Sequence, residues 1–220
     1  EARKYLTTAG APNAEYFTKD VIDAFEARVN LYMHQYAGAV TLAKNIISAY
    51  PLLQSENDLK NMWLNDQSSE IIFRTFMSIS ERTNDMTNFL GYSTSANAFQ
   101  PDFVPSQWVL DLYENSDIRK GTYFKKDKIV SNNVETNDVY MLNKYPGNPA
   151  LKKTEYEYYH MWKVFRAAEA YLIAAEASYL NGDETGAIKY LNDLRGKRGA
   201  SQLSALSGNA LFDAIKKEWI

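Results

Sequence analysis

Two stretches of this sequence leave little choice of secondary structure, because their apolar residues recur every three or four positions, as on one face of a helix. In residues 18–50 two such runs follow each other, and Pro51 ends the second because proline lacks an amide hydrogen and clashes with the preceding turn. In residues 162–197 the two runs are separated by a turn in which Gly182 can close one helix and Asp183 can cap the next. Each stretch therefore predicts a helical hairpin.

The same pattern gives the expected boundaries of the helices. Thr18 can cap the first helix through its side chain. The first helix of the second hairpin is expected to cover residues 163–180, and a last helix is expected to begin near Asn209 or Ala210. Residues 70–74 lie between the hairpins and are typical of a short strand.

The two hairpins resemble each other in the placement of their small residues. Superimposing the two patterns aligns Ala27 with Ala175, Ala39 with Ala187, and Val40 with Ile188. Small residues let helices approach closely, and paired helices of this kind with a short turn between them are typical of tetratricopeptide repeats. The predicted fold class is therefore mostly α, with tetratricopeptide-like helical hairpins at residues 18–50 and 162–197.

The character of the sequence changes between the hairpins. Residues 84–150 are rich in Asn, Thr, Ser, Gly and Pro with scattered aromatic residues, which predicts an irregular, loop-rich segment. Within it, residues 123–140 could form an irregular β-hairpin. Long loops in compact domains are often functional, so this segment is the expected ligand side. We expect a single domain over residues 1–220, incomplete at both ends, because a helical pattern is still running at each end.

Composition argues against several classes of protein. The 27 acidic and 24 basic residues give a formal net charge of -3 without blocks of like charge, so nucleic acid is not an expected partner. Cysteine is absent, which removes disulfides and thiolate metal sites. The histidines lack metal-binding spacing and no glycine-rich phosphate loop occurs, so neither a metal nor a cofactor is expected. No apolar stretch is long enough to span a membrane.

The aromatic content of the chain is high, with 16 Tyr, 10 Phe and 4 Trp. An aromatic ring can stack on the apolar face of a pyranose, while Asn, Asp, Gln and Arg bond the hydroxyls, although core packing is the alternative role for each ring. Both kinds of side chain alternate in residues 84–108, and we predict Tyr92, Asn97 and Phe99 as ligand-binding residues. The same segment contains Asn84, Asn88, Phe89, Gln100, Asp102, Phe103 and Trp108.

Two glutamates on the second hairpin could be mistaken for a catalytic pair. Glu169 and Glu176 are seven residues apart on one helix face, and Arg166 precedes Glu169 by three positions. We interpret this arrangement as structural, with an ion pair between Arg166 and Glu169 and a polar contact between packed helices. No catalytic residue is predicted.

Four motifs occur in the order found in one protein family. Residues 166–177 contain Arg, then Ala-Glu, apolar residues and Ala-Glu-Ala, which closely resembles the signature of the SusD/RagB family. Residues 191–198 are similar to the family's Leu-Asn-x-x-Arg-x-Arg ending, with one inserted residue. Residues 24–47 resemble its first hairpin, residues 69–73 its Ser-x-Glu-Ile-Ile-Phe element, and residues 117–119 its Asp-x-Arg.

The resemblance implies a non-catalytic protein that binds an oligosaccharide or another nutrient and delivers it to a TonB-dependent transporter of the SusC type. It further implies a location on the outer face of a Bacteroidetes outer membrane, held by a lipid anchor. The lipidated Cys of such an anchor is not in this chain, which fits an anchor lost with an amino-terminal segment. Family members are normally much longer.

Two other functions stay open at the level of the sequence. The first is a helical-repeat adaptor that binds a protein partner along its hairpins. The second is a glycosidase, which requires two carboxylates across a cleft, a pair that sequence alone cannot place.

Overall fold

The structure of the chain is a computed structural model that describes residues 2–6, 8–82, 90–204 and 206–220. Its α-helices are α1 (Lys19–Tyr32), α2 (Tyr36–Ala49), α3 (Glu56–Asn65), α4 (Gln107–Leu110), α5 (Ile118–Tyr123), α6 (Ala167–Leu180), α7 (Glu184–Lys197) and α8 (Gly208–Glu218). Its strands are β1 (Ile71–Arg74), β2 (Tyr92–Ser93), β3 (Ala98–Phe99), β4 (Phe124–Ser131), β5 (Val134–Leu142) and β6 (Lys163–Arg166). The mostly α fold class is confirmed.

The chain divides into two compact units. The first contains Glu1–Gln54, Ser68–Thr75 and Trp162–Ile220, and the second contains Ser55–Gln67 and Phe76–Met161. The second unit has a small apolar core of its own, in which distant parts of its sequence pack together.

The first unit contains both helices predicted within residues 18–50. The Oγ1 atom of Thr18 accepts a hydrogen bond from the amide of Val21 at 3.4 Å, which caps α1. The second helix, α2, ends at Ala49, directly ahead of the segment that contains Pro51. Helices α1 and α2 pack against each other along their length.

Helices α6 and α7 form the second pair, and the turn between them follows the prediction. Gly182 has a φ of 83°, the left-handed conformation that closes α6. The carboxylate of Asp183 accepts a hydrogen bond from the amide of Gly186 at 2.8 Å and caps α7. The last helix, α8, begins at Gly208, within two residues of the predicted start.

The prediction of a helix that starts at residue 163 is wrong for its first four residues. They form strand β6, which pairs antiparallel with β1, so that Phe165 lies opposite Phe73. The apolar residues of this segment fit a helical stripe and a strand equally well, and backbone pairing with β1 decides between them. The strand predicted at residues 70–74 is confirmed as β1.

Alanine is frequent in the core of the first unit. The buried core residues include Ala39 and Ala43 of α2 and Ala167, Ala170, Ala174 and Ala177 of α6. Because an alanine side chain is a single methyl group, α2 and α6 can approach closely and pack their backbones together. The small residues of the sequence therefore serve helix contact.

The second unit contains a four-stranded sheet in the order β2-β3-β4-β5. Strands β4 and β5 form a long antiparallel hairpin whose two-residue turn is Asn132-Asn133. Both turn residues have positive φ, 50° and 62°, as a type I′ turn requires.

The irregular β-hairpin predicted as possible within residues 123–140 is present as β4 and β5, and a bulge interrupts its register near Asp127. Most of β5 is exposed, so it lacks the alternation of buried and exposed residues by which a strand is recognised in sequence.

A buried ion pair connects the separate segments of the first unit. Glu70 is 0% exposed and Arg198 is 1% exposed. The Nη2 atom of Arg198 donates to both carboxylate oxygens of Glu70, at 2.7 and 2.8 Å, and Arg166 donates to the same carboxylate at 3.1 Å. The amide of Leu53 donates to it at 3.0 Å. Burial alone would raise the pKa of Glu70, but the charges of Arg198 and Arg166 outweigh burial and lower it.

We expect Glu70→Gln to destabilise the protein by about 3–5 kcal/mol, because the charge of Arg198 is then buried without a counter-charge. Urea unfolding followed by circular dichroism measures the change. Asp193→Asn is the control, since it breaks an exposed pair with Lys189 and should cost no more than about 0.5 kcal/mol. Equal effects of the two substitutions would contradict the importance of the buried pair.

The same carboxylate predicts a dependence of stability on pH. Because folding lowers the pKa of Glu70 from its ordinary value of 4.5, its contribution is complete well above that value and is lost as the pH falls through the folded-state pKa. The difference in unfolding free energy between the natural protein and Glu70→Gln should therefore shrink between about pH 6 and about pH 3. A difference that stays constant over this range would count against the assignment.

Candidate functional site

The three residues predicted to bind a ligand lie together in the second unit. Tyr92 is on β2, Phe99 is opposite it on β3, and Asn97 is in the turn between the strands. The hydroxyl of Tyr92 donates to Oδ1 of Asn97 at 2.6 Å. The rings of Tyr92 and Phe99 meet edge to face, with their centroids 5.0 Å apart. Strand pairing thus brings the predicted residues into contact.

The turn that contains Asn97 depends on its left-handed backbone. Asn97 has a φ of 46°, a conformation that asparagine tolerates better than most residues. This geometry lets β2 return as β3 after a short connection, with Ser93 opposite Ala98. The exposed side chain of Asn97 is thereby placed beside the Tyr92 hydroxyl.

Phe99 has a different environment from its two neighbours. It is 8% exposed and packs with Leu90, Met141 and Tyr158 in the core of the second unit. The Nζ atom of Lys125 lies 4.0 Å from the centroid of its ring, within cation–π range. Phe99 therefore supports Tyr92 from the core side and has little surface of its own for a ligand.

Sequence reasoning missed a fourth member of this site. The ring of Tyr156 stacks on the ring of Tyr92, with centroids 3.8 Å apart and planes 9° from parallel. Both rings are half-buried. We call Tyr92, Asn97 and Tyr156 the tyrosine platform. The Tyr-rich run at residues 156–159 is the signal that could have pointed to it, although nothing in that run indicates contact with β2.

The phenol of Tyr156 is neutral at physiological pH. The hydrogen bond with Tyr92, with a further contribution from burial, raises the pKa of Tyr156 to about 12. Together with the amide of Asn97, this phenol offers neutral hydrogen-bonding groups beside aromatic carbon. Such a surface can bind hydroxyl groups but cannot act as a base at neutral pH.

A charged network holds the segment that carries Tyr156. The carboxylate of Glu157 accepts hydrogen bonds from the amide of Lys153 and from Nη1 of Arg82, both at 2.6 Å. The Lys153 amide is the largest influence that lowers the pKa of Glu157, and Arg82 adds to it. The guanidinium of Arg82 also lies 4.3 Å from the ring centroid of Tyr159. These contacts fix the backbone on the carboxyl side of Tyr156.

The remaining candidates of the aromatic segment are not in the platform as described. Phe103 and Trp108 are exposed, as are Gln100 and Asp102. Asn84, Asn88 and Phe89 lie outside the described residues.

The structure gives the charged residues of the second hairpin partners other than those predicted. Arg166 donates to Glu70, and Glu169 pairs with Arg28 at 2.6 and 2.8 Å. Glu176 accepts a hydrogen bond from the indole of Trp219 at 2.7 Å. The predicted Arg166–Glu169 pair is replaced because Glu70 and Arg28 come from elements that sequence spacing cannot place. The structural interpretation of Glu169 agrees with its ion pair.

Two kinds of feature are absent from the described part of the chain. In those residues no helix combines the length and the apolar character needed to cross a bilayer. The same residues contain no grouping of three or more His, Asp or Glu side chains suited to hold a metal ion.

The first similarity to known proteins lies in the carboxyl-terminal half of the chain. Residues 119–220 match the sequence model described as the SusD family. This range contains the motif at residues 166–177 and the ending at residues 191–198. No curated protein sequence matches the chain.

Solved structures share the fold over nearly the whole chain. A SusD superfamily protein from Bacteroides thetaiotaomicron has a TM-score of 0.73 and 24% identity, over 99% of this chain and 49% of that one. A SusD-like carbohydrate binding protein from Bacteroides vulgatus has a TM-score of 0.70 and 22% identity, over 99% and 44%. Surface glycan-binding protein A from Bacteroides uniformis has a TM-score of 0.66 and 17% identity, over 94% and 50%.

The chain thus spans about half the length of these structures. At such identities the likeness establishes a common fold. Residues 119–220 thus match the SusD family model, and nearly the whole chain has the fold of SusD-like structures.

Proposed function

We propose that this protein binds an oligosaccharide without catalysing a reaction, and that the tyrosine platform is its ligand site, with Phe99 as support. The observation that carries the proposal is the stacked pair of Tyr92 and Tyr156 beside Asn97, in a chain whose residues 119–220 match the SusD family model. Two proteins that share the fold are described as carbohydrate binding and as surface glycan-binding. Their descriptions support sugar as the ligand class.

The geometry of the platform suits one face of a sugar ring. Tyr92 and Tyr156 are 3.8 Å apart, so no sugar fits between them and a pyranose must stack on an outer face of the pair. The hydroxyl of Tyr92 and the amide of Asn97 are then placed to bond the sugar hydroxyls. Binding from one side favours a chain-like ligand that lies across an open surface.

The polar groups of the platform also support a role without catalysis. Glycoside hydrolysis uses two carboxyl groups, one of them able to donate a proton. The platform instead consists of two phenols and an amide, and the pKa of Tyr156 of about 12 keeps its hydroxyl protonated. Such groups bind sugar hydroxyls without exchanging protons with them at neutral pH.

The match to the SusD family model further supports a proposal about location and delivery. The protein would be held by a lipid anchor on the outer face of the outer membrane and would pass its ligand to a TonB-dependent transporter of the SusC type. Protease accessibility on intact cells tests the location. Co-purification of a TonB-dependent transporter with the affinity-tagged protein tests the partner, and a transporter that stays in the unbound fraction would contradict it.

We also propose that the two helix pairs are tetratricopeptide-like units. The aligned alanines support this proposal, since Ala27 and Ala175 are both buried, and so are Ala39 and Ala187. Equivalent burial at equivalent positions is what repetition of one stacking unit requires.

The binding proposal predicts that Tyr92→Ala and Tyr156→Ala each weaken oligosaccharide binding by about tenfold or more, because each removes one ring of the stack. Calorimetric titration against a panel of oligosaccharides measures the affinities. Tyr5→Ala is the matched control, since Tyr5 is exposed in the other unit and should leave affinity unchanged. Tyr92→Phe keeps the ring and removes the hydroxyl, so it should retain more affinity than Tyr92→Ala.

The possible results of this titration test the location of the site separately from the sugar-binding function. Oligosaccharide binding that survives both alanine substitutions would refute the platform while leaving sugar binding in place. A failure to bind any member of the panel would refute the function. New reducing ends in the titrated samples would refute the absence of catalysis.

A further inference from the structure

The first unit contains a pocket that shares no residue with the tyrosine platform. Its volume is about 400 Å³, in the range of sites for small molecules. It is formed where the turn between α1 and α2 meets the ends of α6 and α8. Its lining includes Tyr32, His34, Tyr36, Glu176 and Trp219, so aromatic rings surround one carboxylate.

The carboxylate of this pocket lacks a cationic neighbour in the lining. Its Oε2 accepts a hydrogen bond from the indole of Trp219 at 2.7 Å, and an indole is a neutral donor. Among the described residues that line the pocket there is no lysine and no arginine. The negative charge of Glu176 is therefore oriented by Trp219 but not compensated by it.

The rings around Glu176 offer accessible faces. Tyr32 is 79% exposed and Trp219 is 37% exposed. The imidazole of His34 stacks on the ring of Tyr36, with centroids 5.7 Å apart and planes 21° from parallel. Aromatic faces attract cations through their quadrupole, and they do so most strongly when the cation is large and poorly hydrated.

The backbone of His34 gives a second, independent indication. The turn after α1 is a Schellman motif, because the amide of His34 donates to the carbonyl of Leu31 and that of Gln35 to Asn30. His34 occupies the left-handed position, with a φ of 61°, where glycine is the favoured residue.

The corresponding turn after α6 forms the same bonds and has Gly182 at that position, with a φ of 83°. The first hairpin thus places an imidazole where the second hairpin has no side chain. Strain of this kind is kept where the side chain has a use.

We propose that this pocket binds a small organic cation, such as a quaternary ammonium group, between the rings of Tyr32, Tyr36 and Trp219 and the carboxylate of Glu176. Charge complementarity with Glu176 selects a cation, and the aromatic walls select one that needs no oxygen ligands. His34 is a positioning residue that acts through the stacked ring of Tyr36. The inference does not rest on oligosaccharide binding, because the pocket and the platform are in different units.

Titration of the purified protein with choline, followed by calorimetry or by nuclear magnetic resonance, tests the proposal. Dimethylbutanol, in which carbon replaces the choline nitrogen, is the neutral comparison and should bind at least about tenfold more weakly. Glu176→Gln should weaken choline binding by about tenfold and leave oligosaccharide binding unchanged. Glu135→Gln is the matched control on an exposed strand and should leave choline binding unchanged.

His34→Gly separates a role in binding from a role in folding. Glycine relieves the left-handed backbone, so the thermal midpoint should stay the same or rise while choline affinity falls about threefold. Choline affinity unchanged in this variant or in Glu176→Gln would overturn the proposal. So would equal affinity for dimethylbutanol, an absence of choline binding, or occupation of the pocket by a neutral sugar in place of the cation.

Discussion

The first unit depends on a single buried carboxylate. Its three segments are far apart in sequence, and Glu70 lies in the second of them. Its carboxylate bonds to the other two segments, through Leu53 in the first and through Arg166 and Arg198 in the third. A charge at 0% exposure is tolerated only when its partners surround it, which is the case here. Apolar packing between alanine-rich helices is comparatively unspecific, so the polar contacts of Glu70 define which segments meet.

The first unit holds together the two ends of residues 76–161. Residues 76–161 depart after Thr75 and return at Trp162, and these two residues are bonded in both directions, at 3.0 and 2.9 Å. The ends of the insertion are thus held together by the first unit, which limits the entropy lost when the insertion folds around its own core. Within that core the chain needs only a small sheet to place Tyr92, Asn97 and Tyr156. Under the proposed function, the scaffold supplies stability and the insertion supplies recognition.

The parts of the structure that local periodicity controls could be predicted from the sequence. The helix pairs follow from the spacing of apolar and small residues, and the turn at Gly182 follows from backbone sterics. The strand at Lys163–Arg166 could not be distinguished from a helix start, because its partner β1 lies far away in the sequence. Tyr92, Asn97 and Phe99 come together within one segment, whereas Tyr156 reaches Tyr92 only through the tertiary fold.

The two hairpins close their first helices with the same hydrogen bonds but with different residues, and the difference is informative. A left-handed glycine such as Gly182 is close to the lowest-energy solution, while a residue with a Cβ atom in that conformation costs about 1 kcal/mol. A scaffold that needed only stability would use glycine twice. His34 departs from that solution at the mouth of an aromatic pocket, beside the uncompensated charge of Glu176. Departures from the best local chemistry that converge on one cavity are better explained by a ligand than by packing.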